Sequence, residues 1–420
     1  MRLVNRQFSS LASDASLYRS LKLVCRDGPD ETEASCAADF DAQLDALPPH
    51  LLAAVQRIYI MGTAESIQTH AMSAPVARLA EFTADMPSLT SLDLSTVESN
   101  MIASDLLNAL PVTLRELSGP AAGTTVIDKE QLALSLARLT ALECLSWEAM
   151  HVAHLAIPFD ALVHLRRLSL SFALATDLEA LMAAILASPC RATLELLKVN
   201  YFTGHAGEWW RDLPKLPALT ELACVFDDDF VDQLSDDSRA DLVDVLTTGC
   251  ALTVADLDIS DAALLSEVVS RMPVLRCLFA CGPQWTVAAN AAFLPPHLVH
   301  LAVIADEADD DDDDDDDLVL DSRNPGFDGL AGSFVEAVLT RCPRLETLAT
   351  YVYSPSCVEV LLKAATEHHR YLNLWGHAMD KETIATLRAA GHRVDDVGKG
   401  GIVYPDWREP GGFHFGGDEP

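Results

Sequence analysis

An open α/β solenoid, with parallel strands on one face and helices on the other, is the fold class this sequence predicts. Three observations predict it. A six-residue ladder, apolar at its first, fourth and sixth positions, recurs along most of the 420 residues. Its copies are spaced by about one strand plus one helix. Half of the chain is hydrophobic and only 22% is charged, so there is enough apolar side chain for a continuous core.

The ladder is clearest at Leu89, Leu92, Leu94 and at Leu165, Leu168, Leu170. Leu142, Leu194, Leu219, Val254, Leu275 and Leu298 open further copies, and Val55, Leu114, Leu345 and His369 open weaker ones. Most steps between copies are 21 to 29 residues, while those starting at Val55, Leu219 and Leu298 are 34, 35 and 47. That period is the leucine-rich-repeat range. Alternation along a strand sends the second and third ladder residues to one face and the residues between them to the other. A single strand cannot bury that apolar face, but stacked copies can. The expected form is a leucine-rich-repeat horseshoe, strands concave and helices convex.

Helical spacing fills the intervals at 100–110, 177–187, 261–271, 332–341 and 356–367, as in Leu178, Leu181, Met182 and Ile185. Many ladders are entered through a phrase such as Met86-Pro87, Leu216-Pro217, Met272-Pro273 or Cys342-Pro343, where proline ends the preceding helix. The 35-residue step carries acids near 227–241, and the 47-residue step carries nine consecutive aspartates from Asp309 within 306–328. Both read as solvated acidic insertions. Residues 391–420 hold eight glycines and three prolines and read as a loose tail or irregular cap.

The first two dozen residues have a different pattern. Leu3, Val4, Phe8 and Leu11 lie at helical spacing, and Ser13 and Asp14 are placed to cap a second short helix with Leu17, Tyr18 and Leu21. Val4, Arg6, Phe8, Leu11, Ala12, Ser13, Asp14, Leu17, Tyr18 and Leu21 resemble the second half of an F-box. The first F-box helix, with its Leu-Pro-x-Glu entry, would lie before Met1. The chain as a whole resembles F-box/leucine-rich-repeat proteins: a partial F-box-like helical segment at 1–24, a linker or cap at 25–49, irregular repeats at 50–390 and a tail at 391–420. The resemblance implies the substrate-recognition subunit of a Skp-cullin-F-box ubiquitin ligase, with Leu3, Val4, Phe8, Leu17 and Tyr18 contacting the Skp-type adaptor. The alternative is a free-standing leucine-rich-repeat scaffold or inhibitor without a ligase link; the ribonuclease-inhibitor type is likewise acidic and binds basic proteins.

Composition narrows the partners. A net charge of −34 repels a phosphate backbone and attracts basic proteins, and the chain stays strongly acidic without the aspartate run. No apolar run reaches the length of a membrane span, and no secretion signal or disulfide spacing is visible among ten scattered cysteines, so a cytoplasmic or nuclear location with reduced thiols is expected. No phosphate loop, nucleophile elbow or zinc-binding helix is present. Neither an enzyme nor a bound cofactor or metal is expected. Cys277 and Cys281 lack a second ligand pair nearby.

The inner face of the sheet is where a partner is expected. Residues after the second and third ladder positions point there: Asp93, Ser95, Ser146, Glu148, Ser169, Ser171, Lys198 and Asn200 in the early repeats. Later repeats place Phe279, Ile304, Tyr351 and Trp375 there, an apolar and aromatic patch of the kind that docks proteins. Arg167 and Lys198 are the inner-face cations the sequence places.

Overall fold

The computed structural model describes residues 19–24, 42, 45, 49–61, 79–83, 85–95, 104–119, 129–151, 157–174, 178–203, 207–226, 230–231, 234–259, 261–281, 288–304, 330–350, 353–376 and 379–396. They fall into two compact units, Met1–Leu219 and Thr220–Pro420. Each is an open, all-parallel α/β leucine-rich-repeat solenoid whose strands pair in sequence order.

In the first unit the strands are β1 (Ser20–Val24), β2 (Arg57–Met61), β3 (Ser91–Asp93), β4 (Glu116–Ser118), β5 (Cys144–His151), β6 (Arg167–Leu174) and β7 (Leu196–Thr203). Pairing aligns the ladders: Leu92 with Leu117, Leu117 with Leu145, Leu145 with Leu168 and Leu168 with Leu197. All five leucines are buried, as are Leu178, Leu181, Met182 and Ile185 of the Leu178–Ala187 helix. Each such side chain taken from water contributes roughly 1.5–3 kcal/mol.

Two backbone devices repeat with the ladder. The first ladder residue closes a tight turn, its N–H donating to the carbonyl three residues back, as Leu89 to Met86, Leu165 to Leu162 and Leu219 to Leu216. Pro87 and Pro217 take the second position of such turns, where a fixed φ suits them. The carbonyl just before most strands then accepts two N–H groups from the next repeat. Arg19 accepts from Gln56 and Arg57, Gln56 from Thr90 and Ser91, and Thr90 from Arg115 and Glu116.

The second unit contains β8 (Glu221–Phe226), β9 (Val254–Ile259), β10 (Cys277–Cys281), β11 (His300–Ile304), β12 (Thr347–Thr350), β13 (Asn373–Gly376) and β14 (Arg393–Asp396). Its helices include Asp236–Asp244, Ala262–Arg271, Gly332–Arg341, Pro355–His368 and Lys381–Ala389. Asp261 caps the second of these, accepting from the N–H groups of Ala263 and Leu264, and it pairs with Arg239 at 2.9 Å. These bonds hold its carboxyl below the usual carboxylate range.

Four readings change. Leu21, assigned to a short helix, lies in β1, and Leu23 beside it is fully buried: a Leu-x-Leu pair aligned with Ile58 and Ile60 adds a repeat before the first one recognised. The acidic stretch 227–241 is not wholly a solvated loop. Ser235 caps the Asp236–Asp244 helix, the first-turn acids suit its N-terminal dipole, and Leu242 and Val243 are buried. The repeats continue past 390, because β14 pairs with β13 and buries Val394. One apolar residue is too little to show as a ladder. Finally, β9 aligns Ala255 with Leu278, so its ladder is Leu252, Ala255, Leu257, two residues before the one opened by Val254. A shift of two keeps every side chain on its own face.

Candidate partner-binding face

Residues between the ladder leucines form transverse rows on the sheet face opposite the ladder core. In the first unit one row runs Lys22, Tyr59, Asp93, Ser118, Ser146, Ser169, Lys198. Lys22 is exposed and the others are half-buried. The preceding row runs Ser20, Arg57, Ser91, Glu116, Cys144, Arg167, Leu196. Asp93, Ser146, Ser169 and Lys198 stand where the sequence placed them. Lys22 and Arg57 were missed: β1 was read as helix, and Val55 opens only a weak ladder. The register of β1 on β2 is the signal that locates both.

Asp93 accepts the Ser95 N–H at 2.9 Å, and burial nevertheless raises its pKa. The hydroxyls of Ser118, Ser146 and Ser169 have no hydrogen-bond partner among the described residues, and Arg167 hydrogen-bonds the Cys144 side chain on the neighbouring strand. Along the strand-entry edge the charges alternate instead. Arg115 pairs with Glu143 at 3.2 Å, and Arg166 pairs with Glu195. These are exposed pairs that fix register more than they stabilise.

The second unit presents a different face. By register one row runs Ala223, Asp256, Phe279, Ala302, Ala349, Trp375, Asp395. Phe279 is on the predicted face but is only 6% exposed, packed with Ala302, Ala349 and Val254. It is therefore a core residue of that face and not part of an exposed docking patch. Small alanines on the neighbouring strands leave the space its ring fills. Ile304 aligns with Cys281 on β11, and Trp375 with Ala349 on β13; the structure describes these two at the backbone. Tyr351 lies outside the described residues, as do Leu3, Val4, Phe8, Leu17 and Tyr18.

The chain matches no protein-family model and no curated protein. Its structure is similar to several solved structures at low identity. One is the leucine-rich repeat-containing protein LegL7 of Legionella pneumophila, 15% identical over 79% of this chain and 90% of that one, with a TM-score of 0.40. Another is the Rad7 and Elc1 complex of yeast, 10% identical over 83% and 90%, with a TM-score of 0.39. A third is the protein LIC12759 of Leptospira interrogans, 12% identical over 75% and 62%, with a TM-score of 0.30.

Burial pushes the thiols of Cys144, Cys250, Cys277 and Cys342 up to about 11 and that of Cys357 to about 12, which keeps them as protonated, unreactive side chains at neutral pH. Burial also holds His300 below its ordinary value, with Nδ1 3.0 Å from Thr347 Oγ1. Among the described residues no three His, Cys, Asp or Glu side chains gather where they could hold a metal ion. No helix among them is long and apolar enough to cross a membrane.

Proposed function

We propose that this chain is a protein-binding scaffold without catalysis of its own, and that its partner lies across the open sheet face of the first unit. The half-buried row Asp93, Ser118, Ser146, Ser169, Lys198 carries this reading. Five adjacent strands present polar side chains in register on a face that the ladder core does not use. A rigid scaffold of this kind offers preformed donors and acceptors at low ordering cost. The finer role is substrate recognition in a Skp-cullin-F-box ubiquitin ligase, cytoplasmic or nuclear, supported by the F-box-like sequence pattern from Val4 to Tyr18. Here Leu3, Val4, Phe8, Leu17 and Tyr18 grip the adaptor.

Affinity purification of the tagged full chain tests both levels. Wild type is expected to retrieve a Skp-type adaptor together with a target. Val4→Ala/Phe8→Ala should lose the adaptor and keep the target, and Ser146→Trp should do the reverse. An adaptor never retrieved removes the ligase role. A target retained by Ser146→Trp removes the face.

A further inference from the structure

We infer that the second unit binds a free apolar α-amino acid between its Gly332–Arg341 and Pro355–His368 helices, with the ligand's ammonium on Glu336 and its carboxylate on Lys363. The site is independent of the sheet face proposed above, which belongs to the first unit. The two helices meet closely at their first turns. A Cβ on Gly332 would lie 2.4 Å from the Ser356 carbonyl oxygen, and the Gly332 N–H donates to Ser356 Oγ at 3.0 Å. Between their later turns they leave a cavity of about 260 Å³. That is below the roughly 300–1,000 Å³ of sites that take drug-sized ligands, so the space suits one compact molecule.

Leu339, Val360 and Ala364 give the cavity an apolar lining, and the small side chain of Ala364 leaves room there. Glu336 and Lys363 face each other from the two helices, both exposed, with 4.0 Å between Oε1 and Nζ. That is beyond hydrogen-bond distance, so both keep capacity for a ligand. As an exposed ion pair they contribute little to stability. Arg370 also lines the cavity, anchored by its guanidinium to the carbonyls of Leu339 and Cys342. Those bonds satisfy carbonyls at the end of the Gly332–Arg341 helix, whose negative dipole end would otherwise repel a carboxylate. The side chain of His368 lines the cavity and has no hydrogen-bond partner among the described residues. In a chain of net charge −34, this lining holds one acid against two permanent cations.

The set matches an α-amino acid better than an acid or an amine alone. The bonds about its Cα hold ammonium and carboxylate roughly 3 Å apart, close to the separation of the Glu336 and Lys363 charges. Laid antiparallel to that pair, each ligand charge meets its opposite, and the apolar side chain meets Leu339, Val360 and Ala364. A simple carboxylic acid would leave Glu336 facing an anion, and a simple amine would leave Lys363 facing a cation.

The test is calorimetric titration of the purified full chain with L-valine, L-leucine, L-isoleucine, L-methionine and L-phenylalanine at millimolar concentration. Each is paired with its N-acetyl derivative, which lacks the ammonium, and its amide, which lacks the carboxylate. At least one free amino acid should saturate a single site and raise the thermal unfolding midpoint. Its two derivatives should bind at least about tenfold more weakly. Glu336→Gln and Lys363→Gln should each weaken the free amino acid at least about tenfold, with the ligand-free midpoint unchanged because both side chains are exposed. Glu336→Gln should leave the residual affinity for the N-acetyl derivative as it was, since that derivative has no ammonium to lose. No saturable binding by any of the free amino acids, derivatives that bind as tightly as the parent, or full affinity in both variants would each overturn the inference.

Discussion

Gly119 lies flat against the indole of Trp147. Ser118 aligns with Ser146, so the next residues face each other across β4 and β5, and a Cβ on Gly119 would lie 2.3 Å from Trp147 Cε3. Trp147 stands at the third ladder position, where its partner on β6 is Leu170, and it is 4% exposed. Its large ring fits because the neighbouring strand has no side chain at that height. Gly119→Ala should cost about 2 kcal/mol, an overpacking penalty that chemical denaturation would read. In a Trp147→Leu background the same substitution should cost less than about 0.5 kcal/mol; equal costs in both backgrounds would show that the two residues are not coupled.

His392 is built into the last repeats as a neutral ring. Nδ1 accepts the Leu372 N–H at 3.1 Å, and Nε2 is 3.0 Å from the Leu361 carbonyl, to which it donates. Burial holds its pKa below the ordinary 6.5, although both backbone bonds act to raise it. A group with a depressed folded pKa binds more protons when unfolded, so its stabilisation is complete above about pH 6.5 and is lost as the pH falls below that value. The denaturation midpoint should be lower at pH 5.5 than at pH 7.5, and His392→Gln should narrow that gap. An unchanged gap would place the titration elsewhere.

His369 ends the Pro355–His368 helix in the left-handed region at φ 51°. Glycine adopts that conformation without the Cβ penalty. His369→Gly should therefore stabilise the second unit by about 0.5–1 kcal/mol, measured as a raised melting midpoint. A lowered midpoint would mean that the imidazole contributes more than its strain costs.

Phe279 gives the prediction that separates core from docking surface. Phe279→Ala removes a buried ring from its contacts with Ala302, Ala349 and Val254, and should destabilise by about 3 kcal/mol. A stable variant that has lost a partner would instead restore Phe279 to the binding surface.

Much of the fold is legible in the sequence, because the ladder signal is local. Leu165, Leu168 and Leu170 specify a strand, a face and a turn within six residues, and the Gly332–Arg341 helix is readable to the residue. The signal fails where few apolar residues carry the repeat. β14 has only Val394 on its buried side, and β1 has Leu21 and Leu23 directly after a helical pattern. The candidate face was half legible. Period-two alternation placed Ser146, Ser169 and Lys198, but alternation states a direction and not an exposure. Phe279 points to the predicted face and is still buried, because the depth of a side chain depends on its neighbours, here Ala302 and Ala349.

By itself, then, the sequence determined an α/β leucine-rich-repeat solenoid and which residues share a face, since both follow from spacing along one chain. It also supplied the resemblance at Val4 to Leu21, whose residues before Arg19 lie outside the described structure. Only the tertiary structure decided which residues stand side by side. Strand register sets Lys198 against Ser169, Gly119 against Trp147 and Phe279 against Ala302. Those pairs are separated by whole repeats, and no pattern within a repeat specifies how the next one stacks upon it.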